Sequence, residues 1–429
     1  MTPSAVIDAV DGERLWARLH RLARHGARPD GGVDRPALSP AEIEAKRELV
    51  AWGEELGLRP FSDVLGNLFL RLDGAADGPP VLLGSHLDSQ PTGGRYDGTY
   101  GVLAALEAVA ALRRAGVRPA GPVEIVAWTN EEGSRFAPGM TGSAGYAGAR
   151  PLAALLALRD AAGASVADEV AALRRALPLP ERPLGRPARL YIEPHIEQGL
   201  ALEAAGVPVG VVTGMQGKRT FRVRVEGRAA HAGTTPRRER RDALLAAAHM
   251  VVALEAATAD PDDLVRFTVG RFAAEPNAPS VIAQAAEFSV DLRHPDEEAL
   301  RHLGDAVAPV CRAAAGPCVA RIEELSTAWP QAFDAGLRVR LHEAAALLDI
   351  AAVDLASAAG HDARYLAPLC PAAMLFIPCR GGVTHHPDEA VEPAHATAGA
   401  RVLAAALAAL VLPPDGSRRG AFAMEENTG

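Results

Sequence analysis

Five short stretches carry residues that could do chemistry together. Gly84-Ser85-His86-Leu87-Asp88 directly follows an apolar run, and Gly93-Gly94-Arg95-Tyr96-Asp97-Gly98 leads into a helix. Thr129-Asn130-Glu131-Glu132-Gly133, Glu193-Pro194-His195-Ile196-Glu197-Gln198-Gly199 and Gly381-Gly382-Val383-Thr384-His385-His386 each follow another apolar run. Taken alone, His86 reads as a structural histidine, and Glu131-Glu132 reads as a pair of solvated loop charges. The alternative places one carboxylate on a metal ion and makes its neighbour a base toward water held there. In that reading Asp88 would hold the second ring nitrogen of His86. Four separate strands each deliver His or Glu at their carboxyl ends, where open α/β sheets bind ligands. His86, His195 and His385 with Asp97 and Glu132 form a nitrogen and oxygen set without thiolate. That set suits Zn²⁺, Mn²⁺ or Co²⁺, and it is compatible with two ions sharing a bridging carboxylate. Two such ions polarise a scissile carbonyl and generate hydroxide near neutral pH, so hydrolysis is the expected chemistry.

Rival chemistries find little support. No G-x-S-x-G and no H-E-x-x-H occurs. Gly142-Ser143-Ala144-Gly145-Tyr146-Ala147-Gly148 lacks the G-x-G-x-x-G spacing and reads as a tight turn. Cys379 lies six residues before His385 and could be a nucleophile, but it reads better as a small buried residue. A Glu-Lys-Cys amidase needs a lysine in its site, and this chain has only Lys46 and Lys218.

The elements that must position these residues follow a rhythm. Short strands are expected at Val81–Gly84, Val123–Trp128, Arg189–Ile192 and Met374–Ile377, alternating with helical runs such as 100–115. This pattern predicts an α/β sheet covered on both faces. Residues 13–25 and 40–58 read as helices, the second with a capping pattern of Ser39-Pro40 and Glu42. The middle differs. Phe221, Val223 and Val225 alternate with Arg222, Arg224 and Glu226, which marks a half-exposed strand. A helix over Asp242–Ala257, strands near 264–272 and 281–293, and a helix near 296–314 complete a small α+β domain. Gly214 and Gly217 read as hinges at its entry. The tail from Pro413 reads as disordered.

Composition sets the bounds. The 429 residues carry 44 Lys+Arg against 53 Asp+Glu, a net charge of −9, and no basic tract, which argues against a nucleic-acid surface. Four cysteines without C-x-x-C spacing read as reduced thiols. Met1 to Trp16 lacks an apolar signal-peptide region, and the longest apolar run, Val402–Leu412, spans 11 residues. That run is expected to be a buried helix, and a cytoplasmic protein without membrane contact is expected.

At the same residues the sequence resembles the M20-type metallohydrolases, in the amidase branch that holds N-carbamoyl-L-amino-acid hydrolases, β-ureidopropionases and allantoate amidohydrolases. The matching stretches are GSHLDSQPTGGRYDG (84–98), TNEEGSRFAPGMTGSAGYAG (129–148), HIEQG (195–199), GRAAHAGTTP (227–236), GHDA (360–363) and GGVTHHPDE (381–389). They run in family order from about residue 40 to 400. The resemblance implies a three-layer α/β catalytic domain, 1–213 and 328–412, with an inserted α+β lid over 214–327 that also forms a homodimer interface. It implies two divalent ions, one on His86, Asp97 and His195, the other on Asp97, Glu132 and His385. Glu131 would be the general base and Asp88 would orient His86. Gln198, His231, Asn277, Ser280, Arg293 and Gly382 would meet the substrate. His231 would polarise its carbonyl oxygen across the dimer, and Arg293 would grip its carboxylate as a planar fork. A sheet-face salt bridge is the plainer account of Arg293, and a turn-holding histidine that of His231.

The chain departs from that pattern in places. Ser280 stands where the family usually has Asn thirteen residues before the arginine, with Asn277 nearby. Ala230 replaces an Asn before His231, Arg237 replaces a Met after GTTP, and Thr384 replaces a Ser. The expected reaction is cleavage of the carbamoyl C–N bond of an N-carbamoyl amino acid, including N-carbamoyl-β-alanine. Allantoate or a related ureido compound is the alternative, followed by peptidase activity or an inactive metal-binding dimer.

Overall fold

The computed structural model describes residues 3–412; the tail expected to be disordered, 413–429, lies outside them. Two compact units divide the chain. Among the described residues, one comprises 3–213, Phe333–Leu355 and 361–412, the other Gly214–Ala332 and Ala356–Gly360. The second unit therefore runs five residues past the expected boundary at 327 and takes in a later crossover segment.

The first unit is built on a twisted sheet of β1 (Arg59–Ser62), β2 (Leu68–Leu72), β3 (Val81–His86), β4 (Val123–Trp128), β5 (Leu190–Ile196) and β6 (Val209–Met215). The second unit supplies β7 (Gly217–Glu226), β8 (Ala230–His231), β9 (Arg266–Thr268), β10 (Phe272–Glu275), β11 (Val281–Ile282), β12 (Ala285–His294), β13 (Val319–Ala328) and β14 (Gln331–Ala332). β15 (Ala352–Ser357) and β16 (Ala372–Ile377) follow.

In the first unit the order is β1-β2-β4-β3-β5-β16-β6, with β15 also pairing β6. The centre, β4-β3-β5-β16, is parallel. All residues of β3, β4, β5 and β16 are buried, as parallel strands covered on both faces must be. Helices Thr99–Arg114 and Pro393–Val411 pack together against one face. On the other, Trp128 lies edge-on to Phe69, Tyr146 and Tyr191, and its Nε1 donates to Tyr191 Oη at 3.0 Å. The sheet thus lies between two covering layers, and its α/β class agrees with expectation.

Some elements differ from the sequence reading. The first two major helices end earlier, at Leu22 and Glu55. Ser39 Oγ accepts from Glu42 N, but the Glu42 carboxylate turns to Leu38 N and Lys46 rather than back to the cap. The apolar run near the end is the second half of a 19-residue helix, Pro393–Val411, long and apolar enough by length and composition to cross a membrane. It is packed inside the first unit's core instead. Gly214 and Gly217 lie within strands. A Cβ on either would meet a neighbour at 2.5 Å, Gln331 O in one case and Leu300 Cδ2 in the other, so close approach rather than hinging explains them.

The second unit is an antiparallel sheet, β10-β12-β7-β13, with β9 also on β12. β7 and β12 alternate buried and open residues, and Phe221, Val223, Val225, Phe288, Val290 and Leu292 pack against helices Ala243–Ala257 and Glu297–Ala314. One face is therefore core and the other open. β13 is the strand the sequence reading lacks.

Candidate dimetal site

Three consecutive devices bring the first ligands together. β3 ends on His86, which is buried, and its Nδ1 donates to the Asp88 carbonyl oxygen at 2.9 Å. That fixes the tautomer and leaves Nε2 as a lone-pair donor. The carboxylate of Asp88 has a different task from the expected one. It stands 3.7 Å from the ring and instead accepts from Glu131 N at 3.1 Å and Glu132 N at 3.2 Å. Asp88 therefore orients His86 with its main chain and the Glu131-Glu132 turn with its side chain. β5 presents His195 in the same manner, with Nδ1 donating to Ile196 O at 2.9 Å.

Asp97 lies between the histidines. Its Oδ1 is 3.2 Å from His195 Nε2 and 3.7 Å from His86 Nε2, while its Oδ2 is 3.1 Å from His385 Nε2. His385 Nε2 is also 3.3 Å from Glu132 Oε2. Two clusters result, His86–Asp97–His195 and Asp97–Glu132–His385, each with ligand atoms within 4.8 Å of one another and Asp97 in both. Glu132 Oε1 is buried with no hydrogen-bond partner, an unsatisfied carboxylate oxygen on a residue of the second cluster. Gly98 has φ +61°, and a Cβ there would lie 2.4 Å from His86 Nε2, so glycine keeps that nitrogen open. Nitrogen and carboxylate donors arranged in this way fit divalent cations.

The electrostatics fit the same need. Burial pushes Glu131 well above the ordinary carboxyl range, and Asp362, Glu132, Asp88 and Asp97 push it further. Burial and Asp97 raise Glu132 to about 8. Burial lowers His86 to about 4. Burial would raise Asp97, yet hydrogen bonds and charge from His195 and His385 hold it well below the ordinary range. Hydrogen bonding to Asp97 raises His385 to about 9 despite its burial. Asn130, Gln198 and His385, one in each of three loops, take positive φ of 57°, 56° and 54°. Such backbone is costly for non-glycine residues and clusters at functional sites.

Several residues beneath the site were not assigned roles from sequence. Glu389 is buried; its Oε1 accepts from Tyr96 N at 2.8 Å and Asp97 N at 3.1 Å, which aims Asp97. Lys46 is buried, pairs with Glu42 at 3.1 Å and donates to Gly66 O and Thr129 Oγ1, anchoring the start of the Glu131 turn. His361 lies buried with its ring centroid 4.5 Å from that of His195, and with Glu193 they form a third close cluster. Glu193 is fixed by Ser85 Oγ at 2.9 Å and Ala363 N at 2.8 Å. The GHDA stretch was the one available signal for His361 and Asp362. Gln198 Nε2 donates to Asp97 Oδ2 at 2.8 Å, which places it beside the clusters. Gly382 backs onto Gly199, next to Gln198: a Cβ there would lie 3.1 Å from Gly199 C. Cys379 is buried, its thiol pushed up to about 12 by burial, and it donates to Val383 O, as a structural thiol does.

The second unit holds the other candidates. His231 Nδ1 accepts from Gly233 N at 3.0 Å and Thr234 N at 3.2 Å, so its proton sits on Nε2. It pairs with Val281, and Ala232 N donates to Ser280 O at 3.1 Å, which brings Ser280 beside the histidine turn. Arg240, absent from the sequence candidates, ties that turn by donating to Ala232 O and Thr235 O. Asn277, with φ +55°, is exposed in the loop before β11. Arg293 Nε donates to Asp291 Oδ1 at 2.9 Å, a sheet-face ion pair.

An α/β sheet that gathers histidines and carboxylates at its strand ends, in a chain interrupted by a second sheet, defines a hydrolase class. Residues 82–409 match peptidase family M20/M25/M40, and the chain belongs to that family. It is 38% identical over 400 residues to an N-carbamoyl-L-amino-acid amidohydrolase of Rhizobium meliloti, covering 92% of this chain and 95% of that protein. To an allantoate amidohydrolase of Bacillus subtilis it is 33% identical over 388 residues, 89% of this chain and 93% of that one. The crystal structure of a hydantoinase/carbamoylase-family amidase from Burkholderia multivorans superposes with a TM-score of 0.88 at 40% identity, covering 95% and 99% of the two chains.

Proposed function

We propose that the protein is a metal-dependent amidohydrolase that cleaves the carbamoyl C–N bond of an N-carbamoyl-L-amino acid. The observation that carries this reading is the pair of clusters joined through Asp97, with buried Glu131 beside them. Relatives along nearly the whole chain bear this activity in their names. His86, Asp97 and His195 would hold one divalent ion, and Asp97, Glu132 and His385 the other. Bound there, such ions supply Lewis acidity toward a carbonyl and toward water.

The residues divide the remaining work. Glu131, whose proton affinity burial raises above that of an ordinary carboxylate, takes the proton of the attacking water and returns it to the leaving nitrogen. His231, with its proton on Nε2, donates to the oxygen on which negative charge develops. Arg293 grips the carboxylate, Gln198 contacts the substrate near the clusters, and Asn277, Ser280 and Gly382 complete its surroundings. The balance is one ureido compound and one water to amino acid, carbon dioxide and ammonia. The same reading makes the second unit a lid and a homodimer interface. Leu244, Leu245 and Val252 on its helix Ala243–Ala257 are 42%, 48% and 63% exposed, an apolar face of the kind that partners cover.

The test is ammonia release from N-carbamoyl-L-amino acids, N-carbamoyl-β-alanine and allantoate after stripping and re-adding Mn²⁺ or Zn²⁺. Metal-dependent release from the carbamoyl amino acids is expected. Release from allantoate alone would replace the substrate, as the Bacillus subtilis relative allows. No release from any of them by the metal-loaded protein would overturn the reading. Sedimentation at twice the 44.7 kDa of one chain is the expected assembly.

A further inference from the structure

The open face of the second unit's sheet carries a charge arrangement that a single carboxylate-binding arginine does not require. Arg293 on β12 stands directly opposite Lys218 on β7. Like charges in directly opposed positions destabilise a sheet. One carboxylate serves both: Asp291 Oδ1 accepts from Arg293 Nε at 2.9 Å, and Asp291 Oδ2 lies 3.0 Å from Lys218 Nζ. Arg293 Nη1 donates to Ala358 O at 3.2 Å, which fixes the other end of the guanidinium. The three side chains are 40%, 35% and 29% exposed for Lys218, Arg293 and Asp291, so the group is open to a ligand. Two cations on one anion leave a single net positive charge. Arg266, opposite Arg293 on the far side, is already paired with Asp263.

The residue type matters as well. Only two of the chain's 44 basic residues are lysines, and one of them stands here. An arginine at 218 would present a second planar fork to Asp291 and compete with Arg293 for it, whereas an ammonium is a compact point charge. Without Lys218, Asp291 and Arg293 would make a neutral pair whose carboxylate faces any anion that Arg293 attracts.

We propose that Lys218 is a positioning residue for substrate-carboxylate recognition: it offsets the charge of Asp291, which then orients Arg293 without repelling the incoming carboxylate. The inference rests on the reading of Arg293 as the carboxylate grip, and it predicts a requirement specific to acidic substrates.

The experiment compares two ligands that differ only in the carboxylate, N-acetylglycine and N-acetylglycinamide, by calorimetry on the Mn²⁺-loaded full chain. N-carbamoylglycine and its amide are compared in parallel by steady-state kinetics. The wild type should favour the acid, and Lys218→Met should shrink that preference about five- to ten-fold, the kinetic loss falling in KM. Lys218→Arg should recover part of it. An unchanged preference in Lys218→Met, an equal weakening of acid and amide, or a wild type that does not discriminate them would each overturn the proposal. Discrimination without turnover of any ureido compound would sink the amidohydrolase reading while leaving the Lys218–Asp291–Arg293 group standing.

Discussion

The two units treat carboxylates in opposite ways. At the strand ends of the first unit, burial pushes Glu131, Glu132, Asp88, Glu193 and Glu389 up, and few cationic side chains stand among them. On the open sheet of the second unit, carboxylates are drawn down: Glu226 by its hydrogen bond to Arg321, and Glu324 by its bond to Arg219. A region that concentrates buried anions with few cations to offset them favours added positive charge, which divalent ions would supply. A region that pairs most of its sheet anions with arginines on an open face is largely complete by itself and offers surface charge to a ligand. The contrast fits the proposed division, with chemistry in the first unit and recognition in the second.

Breaking the first side of that contrast should have the largest effect. Asp97→Asn removes the carboxylate common to both clusters. Metal analysis should show both ions lost, with turnover down by about four orders of magnitude. Retention of two ions would refute the bridging role. Glu131→Gln should keep the metal content and lower kcat about 10³-fold, within the range for a general base. Loss of metal instead would make Glu131 a ligand. On the other side, Arg293→Met should raise KM for an N-carbamoyl amino acid about 100-fold with metal content unchanged, since a charged hydrogen-bonded pair is worth about 1.5–3 kcal/mol. If kcat fell and KM held, Arg293 would belong with the chemistry and the division between the units would fail.

Much of this was legible because short buried strands have a strong signature and each ends in an unusual residue. Val81–His86 and Leu190–Ile196 announce themselves by apolar runs, and His86 and His195 fall at their ends. The alternation at Phe221, Val223 and Val225 likewise gave the half-open sheet. β13 escaped because Val319–Ala328 is mostly exposed and lacks an apolar period. Helix Pro393–Val411 begins Pro-Ala-His-Ala-Thr-Ala-Gly-Ala-Arg, so only its apolar second half showed. Within the site, sequence could name Asp88 but could not tell that its carbonyl rather than its carboxylate holds His86. Glu389 and Lys46 act through folded-state proximity to Asp97 and Thr129, residues 292 and 83 positions away, which no local pattern records.

The smallest expected effect probes the first unit's tolerance of buried anions at a distance from the ligands. Asp63 is fully buried and accepts from Leu65 N, Asn67 N and Asn67 Nδ2, while Asn67 Oδ1 accepts from Thr129 N at 2.9 Å and so supports the Glu131 turn. Burial raises the Asp63 carboxyl from 3.8 to about 6 against those hydrogen bonds. Below pH 3.8 it is protonated in both folded and unfolded chains, and above about 6 it is ionised in both. Between these limits the folded chain holds a proton that the unfolded chain has released, so the Asp63 contribution to stability declines as pH rises through this window. Asp63→Asn removes that slope. The difference in unfolding free energy between wild type and variant should therefore shift against the wild type, by on the order of 2 kcal/mol, between pH 4 and 6 and level off above. Denaturant titrations at stepped pH measure it. A difference that instead moved in favour of the wild type with rising pH would mean that Asp63 is held as a stabilised anion, and the first unit would then treat this carboxylate as the second unit treats its own.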